Sequence, residues 1–203
     1  TDDVHESVRR LDCARVQTWH RLEVIPVKVQ VPTGIAEAVN AGLSASKGDF
    51  ISLLLPGASY TSDKTAKQVA FVEWFDLQGE AVFCDYTLLN GSHEDGVSIS
   101  LPSIDPSAMF RKIYCGLPID CSTLLVSRKA MAKLGLLDED AGLAALQGFV
   151  LALSQNSNLV GMAALFVGQR LFDGNDAVQW TASLAGLGAI AIALAPRPRL
   201  AAP

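Results

Sequence analysis

Two groups of carboxylates stand where a layered chain could use them. Asp85 closes the apolar run Ala81-Val-Phe-Cys-Asp-Tyr86, and Asp138, Glu139 and Asp140 follow one another just ahead of a helix-forming stretch. A carboxylate at a strand end can face a pocket, or it can accept from the amides of the adjoining turn, and both readings stand for Asp85. An acidic run before a helix start is the usual form of a solvated cap that complements the helix dipole, with proton abstraction as the alternative for Asp138 and Glu139. Cys13, Cys84, Cys115 and Cys121 include no Cys-x-x-Cys pair, and His5, His20 and His93 are never paired at helical spacing, so neither a zinc site nor a disulfide framework is signalled. Cys84 and Cys121 lie in apolar runs and read as small buried hydrophobes in a reduced, cytoplasmic setting. Trp19 and Trp74 could stack on sugar rings, but a tryptophan near an amphipathic helix reads first as core. Arg111-Lys112 and Arg128-Lys129 could meet phosphates, although the second pair, at the start of a short helix, reads as solvent-facing.

The elements that must position these groups follow from the pattern of apolar runs and turns. The chain has 203 residues, 50% of them hydrophobic, enough for one domain with a substantial core. Its formal net charge of −5 offers no basic field for a polyanion and argues against nucleic acid as a partner. Arg21 to Val31 is β-branched and alternating, a strand interrupted by Pro26; Pro32-Thr33-Gly34 follows, with Thr33 as N-cap of a helix burying Ile35, Ala38, Val39 and Leu43. Phe50 to Leu55 is apolar throughout, as a strand covered on both faces should be. After the turn Pro56-Gly57-Ala58-Ser59, helical spacing runs from Ser62 to Leu77. Glu80 to Tyr86 is the next strand, and Asn90-Gly91 turns into a polar loop through Gly96. A Pro-bearing stretch without pattern follows. Cys121 to Val126 reads as a strand, Ser127 caps a helix stopped by Gly135, Gly142 to Gln155 forms a further helix and Leu159 to Val167 a last strand. From Thr181 to Ala195 the sequence carries no charge and reads as a helix; at about 1.5 Å per residue it is too short for a bilayer core of roughly 30 Å, so packing against protein is expected over peripheral membrane contact. The opening Thr-Asp-Asp-Val-His-Glu has no basic or apolar region of a secretory signal. The expected organisation is an α/β domain over residues 1–175, then an apolar helix and an Ala/Pro-rich tail over 176–203.

Several local motifs then fall in one order. Gly34-Ile-Ala-Glu-Ala-Val-Asn-Ala-Gly42 resembles the Gly-x-x-x-Ala-x-Asn-x-Gly helix of family 2 glycosyltransferases, and Lys47-Gly-Asp-Phe-Ile-Ser-Leu-Leu resembles the strand that delivers that family's metal-binding loop. Asp63-Lys64 with Gln68 resembles the helix after the loop, and Ala81 to Tyr86 resembles the strand ending in Asp-Tyr. Ser122 to Gly135 with Leu137-Asp-Glu139 resembles the strand, helix and turn that precede the catalytic helix. The resemblance covers about two thirds of the chain and implies a GT-A-like, mostly parallel sheet with helices on both faces. The family's uridine-clasping strand and its Asp-Asp-Gly-Ser strand end have no match, so the resemblance implies a nucleotide-facing segment that is deleted, truncated on the N-terminal side, or supplied by something outside these 203 residues.

Such enzymes need a divalent cation to neutralise the leaving diphosphate and a carboxylate to take the acceptor's proton. The resemblance implies that the metal loop aligns with Leu55, Pro56, Gly57 and Ala58, where no acid stands between Asp49 and Asp63, so the divalent cation expected of an intact member has no ligands and no cofactor is expected. It places Gln147, an amide without useful basicity, at the position of the base. Asp85 is the one family acid in place and, with Tyr86 and Ser59, is a candidate for holding a sugar or acceptor; Asp85, Asp138 and Glu139 are candidate substitute bases. The implied function is a glycosyltransferase-like module without catalysis that binds or scaffolds in glycan assembly, in contact with a nucleotide sugar or glycan, with an active glycosyltransferase, or with the rest of a larger polypeptide. The alternatives are a metal-independent glycosyltransferase and a membrane-associated assembly protein.

Overall fold

The computed structural model describes residues 11–27, 34–55, 57–77, 80–90, 96–101, 104–171 and 190–194. A helical segment at residues 11–15 leads into β1 (Leu22–Pro26), followed by α1 (Ile35–Ala45), β2 (Phe50–Leu54), β3 (Ala58–Tyr60) and α2 (Lys64–Trp74). Then come β4 (Ala81–Asn90), β5 (Gly96–Ile99), α3 (Pro106–Tyr114), a 3₁₀ turn (Cys121–Thr123) and β6 (Leu125–Ser127). The chain continues through α4 (Arg128–Leu134), a second 3₁₀ turn (Glu139–Ala141), α5 (Ala144–Asn156), β7 (Leu159–Leu171) and β8 (Ile190–Leu194).

One mixed sheet in the order β1-β8-β2-β6-β4-β7-β3 carries the domain, and β5 pairs with β4. Neighbouring residues on its central strands enter different apolar clusters. Ile51, Phe83 and Val126 join α1, α4 and α5 on one face, whereas Phe50, Val82 and Leu125 pack with Val69 and Val72 of α2 on the other. This is the period-two alternation of a sheet covered on both sides. The expectation of an α/β sheet with helices on both faces holds, and its strand pairing is more mixed than "mostly parallel". β1, β2, β4 and β7 run the same way, yet β8 lies antiparallel between β1 and β2, and β6 antiparallel between β2 and β4, so among neighbours only β4 and β7 pair in parallel.

Besides the short strands β3 and β5, which the sequence reading lacks, three elements depart from it. The strand expected from Cys121 begins only at Leu125, because the Asp120 carboxylate accepts from Ser122 N at 2.7 Å and Thr123 Oγ1 donates to Asp120 O at 2.6 Å, curling the backbone into a 3₁₀ turn. The stretch read as patternless holds α3, started by Asp105, whose side chain caps Ser107 N, and by Pro106 in the first turn. The helix expected over Thr181 to Ala195 is corrected at residues 190–194, which are extended as β8; the remainder of that segment lies outside the described residues. Ile190-Ala-Ile-Ala-Leu194 has a two-residue period, and insertion between β1 and β2 gives ladder partners to strand edges that would otherwise lack them. The described part of 176–203 therefore belongs to the same sheet as the rest. Among the described residues no helix is long and apolar enough to cross a membrane.

Candidate functional site

The tip of β2 is the place where the sequence resemblance puts the metal loop. Leu55 is buried there, and its N–H donates to Ser122 Oγ at 3.3 Å. The chain reverses through Gly57, whose φ of 84° lies in the left-handed region that glycine enters without steric cost. Ala58 N closes the turn on Leu55 O at 3.1 Å, Ala58 is buried, and Ser59 is exposed on β3. Pro56 lies outside the described residues. A hard divalent cation needs carboxylate oxygens, and this turn offers aliphatic side chains and a carbonyl already used by its own amide. The residues present do not fit a metal site, and among the described residues no three His, Cys, Asp or Glu side chains converge anywhere.

The other predicted residues lie on β4, in the 3₁₀ turn before α5 and on α5. Asp85 is buried on β4 and spends both oxygens on the segment after β5: Oδ1 accepts from Leu101 N at 2.7 Å and Oδ2 from Ser100 Oγ at 3.2 Å. Of the two readings for Asp85, this geometry is that of an acid satisfying a turn. Tyr86, next along β4, donates its hydroxyl to Pro118 O at 3.1 Å, and burial raises its pKa. Asp138 accepts from Asp140 N at 3.0 Å, capping its own 3₁₀ turn. Glu139 accepts from Asn40 Nδ2 at 2.8 Å. Gln147 is exposed on α5. Among the described residues no hydrogen bond links Asp85, Asp138, Glu139 and Gln147 to one another.

Two residues that the sequence singled out only as motif matches organise the surroundings. Asn40 of α1 is buried and exchanges hydrogen bonds with Leu137, accepting from its N at 2.8 Å and donating to its O at 2.9 Å, besides the bond to Glu139. One side-chain amide thus fastens α1 to the turn before α5. Lys64, the first residue of α2, has no exposed surface. Its Nζ donates to Gln68 Oε1 at 2.8 Å and to Ser52 Oγ at 3.2 Å and lies 4.1 Å from the centre of the Tyr60 ring. Ser52 and Tyr60 hydroxyls are 2.9 Å apart; Ser52 reaches Leu124 O, Tyr60 reaches Leu53 O and Gln68 donates to Thr123 O. Desolvation lowers the Lys64 pKa to about 8 against the opposing pull of Cys84 and Asp120, and it raises Tyr60 well above the ordinary phenol range. The sequence signal for this nest was the i, i+4 pair Lys64 and Gln68, which reads equally well as a solvated helix face.

The remaining sequence readings divide. Trp74 is 85% exposed, which corrects its reading as core, because it sits in the last turn of α2 past the buried Val69 and Val72. Trp19 packs at the edge of the α2-side cluster with its Nε1 buried and without a hydrogen-bond partner. Arg128 does not point to solvent; its guanidinium donates to Gly48 O at 2.7 Å and Ser46 Oγ at 3.0 Å, tying α4 to the end of α1.

This architecture has solved counterparts. The structure of S. aureus TarS superposes with a TM-score of 0.51 at 11% identity, over 68% of this chain and 25% of that one. The fold is glycosyltransferase-like. S. aureus TarS 1-349 in complex with UDP matches with a TM-score of 0.52 at 14% identity over 68% of this chain, and the same protein in complex with UDP-GlcNAc with 0.52 at 12% over 70%. Each of those two matches covers 40% of the TarS 1-349 chain, so this chain spans well under half the length of the proteins it resembles. No protein-family model matches the sequence, and no curated protein matches it.

Proposed function

We propose that this chain is a family 2-like glycosyltransferase domain that does not catalyse transfer and serves as a binding or scaffolding module in glycan assembly. The observation that carries this reading is the turn from β2 to β3, closed on itself and built around the buried side chains of Leu55 and Ala58. Leaving-group stabilisation needs fixed positive charge at the diphosphate, and this turn has no ligands with which to hold it. Proton removal needs a base, and the position the resemblance gives it is the exposed amide of Gln147. The fold-level likeness to TarS bound to UDP and UDP-GlcNAc supports a nucleotide sugar as the ligand class, held without metal.

Calorimetry with UDP, alone and with Mn²⁺, together with a turnover assay over a panel of sugar nucleotides, tests the reading. The expected result is no metal-dependent gain in binding and turnover equal to background. Metal-dependent micromolar affinity, or turnover that disappears in Asp138→Asn or Asp85→Asn, would overturn it.

A further inference from the structure

The first turn of α2 is inserted into the protein rather than laid on it. Lys64 opens the helix without exposed surface, and Thr65 beside it is 1% exposed. Asp63, at the N-cap position, makes no side-chain cap; the Thr65 amide is capped from a distant part of the chain, donating to Gln17 Oε1 at 3.1 Å. Thr65 Oγ1 is buried without a hydrogen-bond partner. The Lys64 ammonium meets only the neutral acceptors Gln68 Oε1 and Ser52 Oγ and the face of the Tyr60 ring, and among the described residues no carboxylate hydrogen-bonds to it. The titratable groups that face it are Tyr60 on β3, Cys84 on β4 and Asp120 ahead of the first 3₁₀ turn, with Cys13 of the N-terminal helical segment acting on Tyr60 in turn. Cys84 and Asp120 favour the charged amine but are outweighed by desolvation. A cation buried beside neutral partners alone is better solvated by water, so it pulls against the backbone that holds it inside.

We propose that the first turn of α2 is a pH-responsive plug: protonation of Lys64 drives the turn to unwind and carry the side chain out of its nest, and loss of the proton seats it again. The geometry makes this movement local. Thr61 and Ser62, just ahead of the helix, are exposed, so the turn can unwind without parting the sheet. The seat is polar and reaches further: Gln68 and Ser52 hold the carbonyls of Thr123 and Leu124, next to the Ser122 hydroxyl that receives Leu55 N. Unseating Lys64 therefore loosens the support behind the tip of β2. The seated amine has a pKa of about 8 and a withdrawn one the ordinary 10.5, so the withdrawn state holds its proton more tightly and opening is favoured as the pH falls. No nucleotide enters the test, and its outcome is separate from that of the calorimetry with UDP.

Amide hydrogen exchange on the full chain reads the opening directly, each rate being divided by the intrinsic rate at the same pH. Protection of the Thr65 and Lys67 amides, in the first turn of α2, should rise roughly thirtyfold from about pH 7 to about pH 9.5. Protection of the Ala130 amide, in the first turn of α4 and capped by Ser127, should stay level. Lys64→Met should flatten the rise in α2, and Cys84→Ala should leave it in place. If the Met variant does not fold, the wild-type contrast between α2 and α4 decides the case together with a side-chain NMR titration of Lys64, whose midpoint should be about 8. Protection that is flat in α2, rises equally in α4, persists in Lys64→Met or disappears in Cys84→Ala would overturn the proposal, as would a Lys64 midpoint at the ordinary 10.5.

Discussion

The nest around Lys64 and the turn from β2 to β3 are a few residues apart in sequence and opposite in character. Inside, a lysine without exposed surface is surrounded by Ser52, Tyr60 and Gln68, every one of them hydrogen-bonded. At the tip, where the sequence resemblance puts the metal loop, Leu55 and Ala58 are buried and apolar. Charge has its place in the interior, and the side chains of Leu55 and Ala58 at the tip carry none. The difference teaches that a buried polar group in this fold is not by itself a sign of catalysis: the Lys64 nest is closed by its own partners, whereas a working site must leave a valence for substrate.

Substitutions on the two sides of this contrast should therefore behave differently. The largest effect is expected from Gln68→Leu, which strips Lys64 of its closest acceptor and leaves Thr123 O only the weak Cys84 thiol as donor in a fully buried place, and should cost about 4 kcal/mol in chemical denaturation. A loss under about 1 kcal/mol would mean that water reaches the nest and that the contrast is overstated. Next is the pH dependence of Lys64 against Lys64→Met. The folded-state pKa of about 8 lies below the ordinary 10.5, so the folded chain binds fewer protons than the unfolded chain between these values, and raising the pH through that window favours folding. Wild-type stability should rise relative to the Met variant by about 3 kcal/mol from below pH 8 to above 10.5, read by parallel denaturation curves. The comparison must be made against the variant, because burial of Cys121 and Tyr60 raises their pKa values and works in the opposite direction at alkaline pH.

At the rim, Leu55→Asp should cost about 2 kcal/mol in thermal melts, since it exchanges a buried aliphatic group for a carboxylate at the same place. A neutral result would sharpen the contrast differently, by showing that the turn can open to admit charge. The smallest effect belongs to Gln147→Asp. This exposed exchange should change stability by no more than about 0.5 kcal/mol and add no turnover above background, measured on the same protein preparation.

Much of the framework was legible because local chemistry and final packing agree. Ser127 was readable as a cap and accepts from Ala130 N at 3.0 Å; Gly135 was readable as a stop and has φ of 77°. The apolar run Phe50 to Leu55 was readable as a strand; the strand spans Phe50–Leu54 and is buried at every position. What the pattern could not show depends on contacts distant in sequence. Lys64 after Asp63 has the look of a solvated helix start, and only the arrival of Ser52, Tyr60 and the Thr123 turn makes it interior. Asn40 looked like one letter of a motif; its work, holding Leu137 and Glu139, spans almost a hundred residues. Trp74 was misread because helical spacing fixes a face but not where the sheet beneath it ends. The candidate site was the least legible part, since a list of missing acids says what a turn cannot do and leaves open what occupies it instead.

The position of β8 has a consequence for the order in which the molecule is made. Residues 190–194 lie between strands built from residues 22–26 and 50–54, so nothing bridges these two strands until a segment well over a hundred residues later has been synthesised. Contacts of such long sequence separation close slowly, and during synthesis β1 and the outer edge of β2 must wait with bare backbone groups. Nascent chains stalled or cut before residue 190 would present two unpaired strand edges at once, and a chaperone able to shield extended backbone would find its substrate there.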